Sequence, residues 1–585
     1  MNLHHFDVVV VGAGGAGLRA AVEIEAPYTC AVLSKVHPLR SHTGAAQGGV
    51  CAALANEEED SWEWHAFDTV KGSDYLGDQD AIETMCYDAV RAIIELEHMG
   101  MPFSRTKAGK IAQRRFGGHT RPSPEDENKR VAVKRACYAA DRTGLVMLHT
   151  LYENCLKNRV NFFNEFHVTD IIIEDNICRG VVAIETRTGE IHVFHAKAVI
   201  FATGGLCRAF RVTSNAYSGT GDGSSVAYRR GVPVEDMEFI QFHPTGLWKL
   251  GILVSEAARG EGGILRNKEG EAFMARYAPT VKDLAPRDMV SRAILTEMLE
   301  GRGITGSDGT DYIGLDLTHL DRSILDGKLP EVTGFARTYL GIDPYTQPIP
   351  IQPTAHYAMG GIPTDVNGMV QADEKGTAIV GFYAAGESAC VSVHGANRLG
   401  TNSLLDLVVF GRRSGKAVLE FLKSGAEFAP MPKDADELTR RQVNGILNST
   451  GGERIGPLRT YLQATMMDNV GIYRTDGRLR KQVEELKGIR ARFAKVQIDD
   501  KGKEFNTDLL EALELENLID SAEAITHGAL ARQESRGAHS REDFPTRDDA
   551  EWMKHTFAFY KQGGDPDLRY KAVKVTRYQP MERKY

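Results

Sequence analysis

The chain has 585 residues, a formal net charge of −9 and 42% hydrophobic residues. Since single hydrophobic cores stop growing near roughly 250–300 residues, this length predicts several domains. The acidic balance, with an isoelectric point near 6.1, argues against a nucleic-acid partner. There is no uninterrupted apolar run of about 18 residues, so no transmembrane helix is predicted. Met1–His5 lacks the apolar core of a signal peptide, which predicts that the protein stays in the compartment where it is made.

The cysteines are scattered and form no C-x-x-C pair. They are Cys30, Cys51, Cys86, Cys137, Cys155, Cys178, Cys207 and Cys390. This pattern predicts reduced thiols, and it leaves the chain without a recognisable iron–sulfur or zinc site. No metal site is therefore predicted.

The first 33 residues have the pattern of a nucleotide-binding unit. Phe6–Val11 predicts a buried strand, Leu18–Glu23 has helical composition and Cys30–Leu33 predicts a second strand. A G-x-G-x-x-G motif, Gly12–Gly17, lies directly between the first strand and the helix. This arrangement places a pyrophosphate at a helix N-terminus and predicts a Rossmann-type domain.

Each motif glycine has a physical reason. Gly12 allows the tight turn, Gly14 lets the backbone approach the phosphates, and Gly17 lets the helix pack on the sheet. An acidic residue that would hold the ribose is expected after the second strand, but Ser34 and Lys35 stand there instead.

The next segment, Arg40–Gly49, is rich in small residues and contains His42 between hydroxyl side chains. It resembles the covalent-flavin segment of succinate dehydrogenase and fumarate reductase flavoprotein subunits, and similar motifs recur through most of the chain. The resemblance implies an FAD cofactor tethered through His42 as an 8α-histidyl flavin. The motif and the resemblance together predict the cofactor-binding residues Gly12, Gly14, Gly15, Gly17, Ser34, Lys35, Ser41, His42, Thr43, Gly48, Gly49, Ala202, Thr203, Gly204, Asp222, Glu387, Arg398, Ser403 and Leu404.

Further along, the acidic run Glu57–His65 is expected to be a solvated surface. Asp80–Met99 has helical spacing. Phe116–His119 is expected to be a loop, and Arg135–Gly144 a loop followed by the start of a helix.

Strands are predicted at Val168–Glu174, Arg179–Thr186 and Glu190–His195, with a separate buried strand at Ala198–Ala202 that ends in the turn Thr203–Gly205. This A-T-G-G motif commonly closes the FAD site of flavoproteins with two dinucleotide domains. Asp222 either caps the helix that follows it or hydrogen-bonds the cofactor, and both alternatives stay open.

The expected fold class is α/β, with a Rossmann-type FAD-binding domain and an inserted α+β capping domain, followed by a helical domain and a short C-terminal domain. The predicted boundaries are 1–245 and 352–430 for the two parts of the FAD-binding domain, 246–351 for the capping domain, 431–540 for the helical domain and 541–585 for the C-terminal segment. The cofactor pattern resumes at Gly381–Glu387, and Leu404–Gly415 is expected near the flavin ring by resemblance.

Three helices are predicted in the helical domain, at Pro457–Val470, Arg478–Phe493 and Asp508–Glu534, the last capped by Thr507. Glu534–His539 and Arg547–Trp552 are expected to be charged loops, and the C-terminal segment alternates like a strand.

The resemblance also implies a dicarboxylate site, because the family's motifs occur in order. Arg398 and His356 would grip one carboxylate, and His243 and Ser255 the other, where the family more often has Thr in place of Ser255. Arginine suits this task because its planar fork matches carboxylate oxygens. By resemblance Arg287 transfers the proton, with Glu256 and Arg259 relaying it to solvent. His243 also belongs to the predicted catalytic set.

The predicted function is the flavoprotein subunit of succinate:quinone oxidoreductase, which oxidises succinate to fumarate through FAD. Because the chain lacks a cysteine cluster and a predicted membrane span, an iron–sulfur subunit is inferred as electron acceptor, with membrane-anchor subunits beyond it. The expected location is peripheral, on the cytoplasmic side of the inner (plasma) membrane. By resemblance, the docking face includes the loops Ser535–His539 and Arg547–Trp552.

Three alternatives stay open. Quinol:fumarate reductase runs the reverse reaction, and the sequence does not fix the direction. L-aspartate oxidase shares the fold and pocket but binds FAD without the histidyl bond, so His42 argues against it. A catalytically silent FAD-binding scaffold is disfavoured by the intact set of substrate-site residues.

Overall fold

The computed structural model describes residues 2–126 and 129–583. Its helices are α1 (Gly15–Val22), α2 (Trp62–Gly72), α3 (Gln79–His98), α4 (Thr143–Lys157), α5 (Asp222–Arg229), α6 (Ala257–Gly260), α7 (Met274–Tyr277), α8 (Arg287–Leu299), α9 (Arg322–Lys328), α10 (Pro330–Leu340), α11 (Asn402–Lys423), α12 (Glu437–Asn448), α13 (Ile455–Asn469), α14 (Asp476–Phe493) and α15 (Thr507–Ala531). Its strands are β1 (Asn2–Val11), β2 (Cys30–Ser34), β3 (Val50–Cys51), β4 (Gln113–Pro122), β5 (Arg130–Cys137), β6 (Asn161–Asn164), β7 (Phe166–Glu174), β8 (Ile177–Glu185), β9 (Ile191–Phe201), β10 (Val234–Glu235), β11 (Ile240–Leu247), β12 (Ile264–Arg266), β13 (Ile304–Thr305), β14 (Asp311–Asp316), β15 (Ile349–Ala358), β16 (Ile362–Pro363), β17 (Met369–Gln371), β18 (Ala378–Ala384), β19 (Ala389–Cys390), β20 (Tyr473–Arg474), β21 (Ser540–Arg541), β22 (Lys554–Phe559) and β23 (Asp567–Ala572).

The largest sheet confirms the predicted nucleotide-binding unit. Its strands lie in the order β17-β18-β8-β9-β1-β2-β6, with β7 paired to β8. β1 runs parallel to both β2 and β9, and α1 connects β1 to β2. Val8 and Val10 pack into one hydrophobic cluster, and Val9 and Val11 into another. Because side chains alternate across a strand, this continuous valine run fills both faces of a buried sheet.

Three local expectations are wrong. Arg135–Cys137, expected to be part of a loop, is the end of β5. The strands expected at Glu190–His195 and Ala198–Ala202 are one strand, β9. Phe116–His119 is not a loop but lies inside β4, which pairs antiparallel with β5. The segment lies at a register irregularity between Arg115 and Thr120, so the flanking pairs with β5 include it in the strand although its glycines carry no strand propensity of their own.

Residues between β11 and β15 form a separate layer. β11, β15, β14 and β12 make an antiparallel sheet, with β13 paired to β14. A hydrophobic core packs α8, α9 and α10 on this sheet, and Phe116 and Ala136 from β4 and β5 enter the same core. Since β11 and β15 pair with each other, the chain leaves and re-enters the FAD-binding part at one place.

The helical region contains α12, α13, α14 and α15, so α12 adds a helix to the three predicted ones. Thr507 does not cap α15: the cap is Asn506, whose side chain accepts from the backbone N–H of Leu509 at 2.8 Å. Downstream, β22 pairs with both β10 and β23. No helix in residues 2–126 and 129–583 is long and apolar enough to span a membrane.

Charged segments expected at the surface are partly buried. Asp60 pairs with Arg135 at 2.6 Å, and the two side chains are 1% and 0% exposed. Arg536 is only 1% exposed and pairs with Glu534. Arg547 pairs with Asp74 at 2.8 Å. The expectations of a solvated acidic run and of an exposed docking loop at Arg536 are therefore wrong for these side chains.

Candidate active site

A cavity of about 710 Å³ lies between the β1–α1 turn, the His42 segment and the layer of β11 to β15. Of the predicted cofactor-binding residues, all except Gly17 line it. A Cβ on Gly17 would lie 2.0 Å from the carbonyl oxygen of Gly12, so Gly17 serves the packing of α1 against the turn.

The glycine turn leaves room for a phosphate. Gly12 has φ +107°, and a Cβ there would lie 2.2 Å from the carbonyl oxygen of Ala202. Only glycine fits this combination of backbone angle and contact. Gly14 precedes α1 and Gly15 begins it, and the N–H of Gly15 donates to Thr43 Oγ1 at 3.0 Å. The open N-terminus of α1 at the cavity wall fits the pyrophosphate of a dinucleotide.

Lys35 and Asp222 form an ion pair at the cavity wall. Lys35 Nζ lies 2.6 Å from Asp222 and 2.7 Å from Glu514. Burial raises the pKa of Asp222, but Lys35 and His167 outweigh it and hold this pKa well below its usual range. Asp222 is the first residue of α5 and makes no capping hydrogen bond, so the capping alternative is wrong.

His42 lies in a short 3₁₀ turn and lines the cavity. Its Nδ1 accepts a hydrogen bond from the backbone N–H of Ala216 at 3.3 Å. Burial lowers the pKa of His42 to about 4, so the ring is neutral at pH 7. Because Nδ1 is the acceptor, Nε2 is the ring nitrogen that this bond leaves unengaged.

Arg114 is a residue near this segment that the sequence did not point to. Its guanidinium donates to the carbonyl oxygens of Gln47 and Gly48, at 2.9 and 2.6 Å. It also lies over the Tyr138 ring, 4.5 Å from the centroid. Arg114 thereby holds the end of the His42 segment against β4.

Arg287 is held by two acceptors. Its Nε donates to Glu256 Oε2 at 2.7 Å, and its Nη1 to Gln241 Oε1 at 3.1 Å. Glu256 also accepts from the N–H of Gly117, and Arg259 Nη2 lies 3.7 Å from it. Burial raises the pKa of Glu256, but Arg287 and Arg259 outweigh it and the net shift is downward. The predicted proton relay thus forms one contiguous ionic cluster.

His243 and His356 pack edge to face, with ring centroids 5.0 Å apart. Nδ1 of His243 accepts from the N–H of Thr245 at 3.2 Å, and Nδ1 of His356 lies 2.7 Å from Ser214 Oγ. Burial, followed by the charge of Arg287, lowers the pKa of both rings well below the usual value. Both are therefore neutral at pH 7.

Arg398 is a buried guanidinium with an unsatisfied donor. It is 2% exposed, and its Nε has no hydrogen-bond partner within residues 2–126 and 129–583. It lies over the Tyr357 ring, 4.3 Å from the centroid. Burial, then the charge of Arg287, lowers the pKa of Arg398 to about 9. An uncompensated buried cation at a cavity wall fits an anionic ligand.

The predicted residues divide into two groups. Arg287, His356 and Arg398 line the cavity, whereas His243, Ser255, Glu256 and Arg259 do not line it within the described part of the chain. Ser255 Oγ accepts from the N–H of Ala257 at 3.2 Å. Gln241 links the groups: besides accepting from Arg287, it donates to the carbonyl oxygen of Arg398 at 2.7 Å. In the sequence, the only signal for Gln241 was its position two residues before His243.

One group of carboxylates and an imidazole lies elsewhere. Glu235, Asp236 and His555 bring their potential ligand atoms within 4.8 Å of one another. The two ring nitrogens of His555 already lie 2.7 Å from Asp236 and 3.2 Å from Asp78. The imidazole is thus engaged in ion pairs on both sides.

Comparison with known proteins gives concordant matches. Residues 7–404 match the family model described as FAD binding domain, and residues 459–585 match the one described as fumarate reductase flavoprotein C-term. A succinate dehydrogenase flavoprotein subunit from Rickettsia bellii is 49% identical, covering 98% of this chain and 96% of its own length. A mitochondrial succinate dehydrogenase [ubiquinone] flavoprotein subunit from Oryza sativa is 47% identical, covering 95% of this chain and 88% of its own length. A structure of E. coli quinol fumarate reductase superposes with a TM-score of 0.92 at 39% identity, covering 100% of this chain and 99% of that one.

Proposed function

Because the chain belongs to the family of succinate dehydrogenase and fumarate reductase flavoprotein subunits, we propose that it oxidises succinate to fumarate within a succinate:quinone oxidoreductase. The observation that carries this is the cluster of buried cations at the cavity. Arg287 and Arg398 line the cavity, and Arg259 lies behind them. Glu256 is the carboxylate that contacts Arg287 and Arg259, so a dicarboxylate dianion would complete the charge balance.

FAD, when bound, supplies the acceptor for the hydride that leaves succinate. The chain's own residues orient the substrate. Arg398 and His356, which line the cavity, hold one carboxylate. His243 and Ser255 hold the other, and since neither lines the cavity in this structure, substrate binding must bring their side chains to it. Supporting this pairing, Arg398 has an unused Nε and the hydroxyl of Ser255 acts as an acceptor, so that its O–H is left to donate.

Arg287 receives the substrate proton at its guanidinium. The carboxylate of Glu256, 2.7 Å from Nε, is the partner through which the guanidinium exchanges protons with the rest of the relay. Arg259 adds positive charge next to Glu256 and is the next member of the relay, and its Nη1 is held by the carbonyl oxygen of Asp283. Positioned proton transfer of this kind contributes about 10²–10⁴-fold to rate.

His42 would tether FAD as an 8α-histidyl flavin through Nε2. The contact from the N–H of Ala216 supports this, because it engages Nδ1 as an acceptor and leaves Nε2 unengaged. The remaining cavity-lining residues predicted above hold FAD without covalent bonds. We also propose the domain boundaries predicted from the sequence.

Electrons leave to an iron–sulfur subunit, with membrane-anchor subunits beyond it. The protein would be peripheral on the cytoplasmic side of the inner (plasma) membrane. The eight cysteines support an external carrier, because each is a buried free thiol. Relatives named as flavoprotein subunits support a multi-subunit assembly.

The test uses purified protein reconstituted with FAD. We expect dye-linked succinate oxidation, together with flavin fluorescence that stays with the band on a denaturing gel. The His42→Ser variant should keep FAD noncovalently, lose the gel fluorescence and lose most succinate oxidation, while fumarate reduction partly survives. Flavin that stays attached in His42→Ser would exclude His42 as the tether. Absence of turnover with both dicarboxylates in wild-type holoprotein would refute the activity.

The structural match to a quinol fumarate reductase favours one second candidate, the same site running in reverse. Protein-film voltammetry of the holoprotein separates the two, because it measures both directions on one electrode. A preference for fumarate reduction at the potential of the physiological quinone would assign the reverse direction.

A further inference from the structure

We propose that Arg583 is a positioning residue for Arg287 and acts through Asp288 at the start of α8. This inference rests on the proposed role of Arg287 in proton transfer. Arg583 belongs to the segment Val573–Arg583 after β23, which we term the strap.

The start of α8 is fixed from outside the helix. Arg287 is its first residue, Pro286 precedes it, and no side chain caps its N-terminus. On the inner side, Ser291 Oγ donates to the carbonyl oxygen of Phe242 in β11 at 2.8 Å. Asp288, the second residue, is held from within α8 by Arg292, whose Nη2 lies 3.0 Å from Oδ2, and from outside the helix by Arg583.

Arg583 holds Asp288 with both arms of its guanidinium. Nη1 and Nη2 lie 3.0 and 3.2 Å from the two carboxylate oxygens, and the Asp288 side chain is 0% exposed. Nη1 also lies 3.2 Å from Asp74, in the loop after α2. One guanidinium thus bridges α8 to the part of the chain that carries the cofactor motif.

Both ends of the bridge are anchored. Asp74 accepts from Arg547 and from the N–H of Gly537, each at 2.8 Å. The strap is held at the start of α3 by Gln79, a fully buried residue. Gln79 Oε1 accepts from the N–H groups of Arg577 and Tyr578, and its Nε2 donates to the carbonyl oxygen of Tyr578. Arg583 therefore projects from a fixed base.

A shift of Asp288 would also move Arg287, the residue proposed to transfer the proton. Arg287 and Asp288 are consecutive, with Cα atoms roughly 3.8 Å apart, so a displaced Asp288 displaces Arg287. The Arg287 contacts to Glu256 and Gln241 are 2.7 and 3.1 Å long, and small shifts break them. Misplacement of a reacting group by about 1 Å can cost 10²-fold in rate.

The test compares Arg583→Gln with Asp288→Asn, which opens the same bridge from the other side, in FAD-loaded protein. We expect each to lower kcat for dye-linked succinate oxidation by about 10- to 100-fold, with KM changed less than about twofold. The solvent deuterium isotope effect on kcat should rise. The double variant should be no slower than either single one, because the two residues act through one bridge. Arg583→Lys should recover part of the loss.

The control is Arg577→Gln, an exposed arginine of the same strap, which should leave kcat unchanged. A lower melting temperature with unchanged kcat and isotope effect in Arg583→Gln would overturn the inference. If Arg583→Gln fails to fold, the isosteric Asp288→Asn decides on the same criteria. Arg287→Lys is assayed alongside. Full turnover in Arg287→Lys would refute the proposed proton transfer, whereas an inactive Arg287→Lys beside a fully active Arg583→Gln would refute only the strap.

Discussion

Arg287→Lys is the sharpest test of the proton-transfer assignment, because it keeps the charge and removes the guanidinium. In the structure, two different nitrogens of Arg287 reach Glu256 and Gln241. The single ammonium of lysine cannot reproduce both contacts with the geometry of a planar fork. Loss of a positioned proton-transfer group costs about 10²–10⁴-fold, so we expect kcat to fall by roughly 10³-fold, about 4 kcal/mol of barrier.

Substrate binding should change much less. Arg398 and His356 line the same cavity and keep their own contacts to Tyr357 and Ser214. Steady-state dye-linked assays give kcat and KM, and titration of the flavin absorbance with fumarate gives a dissociation constant. The control is Arg266→Lys, which alters an arginine paired with Asp316 at 2.7 Å, outside the residues that line the cavity.

Two outcomes would refute the reasoning. If kcat stays within about tenfold of wild type, another group moves the proton. If turnover and dicarboxylate affinity fall in proportion, Arg287 is a substrate clamp and not a proton donor or acceptor.

Two further predictions concern the buried charges. Arg536→Glu should prevent folding, because it places a carboxylate beside Glu534 and Asp549 at a site that is 1% exposed; soluble, folded holoprotein with normal dye-linked activity would contradict the observed burial. Burial raises the pKa of Asp74, but Arg583, Arg536 and Arg547 outweigh it and lower this pKa to about 2. A depressed carboxyl pKa stabilises the fold above the unfolded value, so about 2 kcal/mol should be lost as the pH falls from about 4 to 2. Asp74→Asn should flatten the pH dependence of urea unfolding at the acidic end, and an unchanged slope there would count against the ion pairs.

The glycine motif could be interpreted from sequence because its information is local. Gly12, Gly14 and Gly17 lie within six residues, and the strand and helix around them have their own propensities. The N-cap of α15 shows the limit of local patterns: Asn506 and Thr507 are adjacent and both suit a cap, and the backbone geometry selects Asn506.

The buried charges could not be predicted because their partners are distant in sequence. From the sequence, Arg547 is expected at the surface, but in the structure it pairs with Asp74, which is 473 positions away. From the sequence, Asp60 is expected to be solvated, but in the structure it forms an ion pair with Arg135 of β5. Ser255 was a different kind of case. Its position matches a family motif, but its side chain does not line the cavity in this structure.

These buried pairs bear on how the substrate site is built. Arg259, Arg287 and Arg398 are each at most 7% exposed, and Glu256 is the carboxylate in contact with the first two. Such an excess of buried positive charge disfavours folding until a ligand arrives, and it also tends to push the guanidiniums apart. Glu256 and Gln241 hold the Arg287 side chain against this repulsion when no dicarboxylate is bound. The bridge from Arg583 through Asp288 holds the backbone beneath that side chain at the first turn of α8, where the negative charge of Asp288 stabilises the helix start without competing for the substrate.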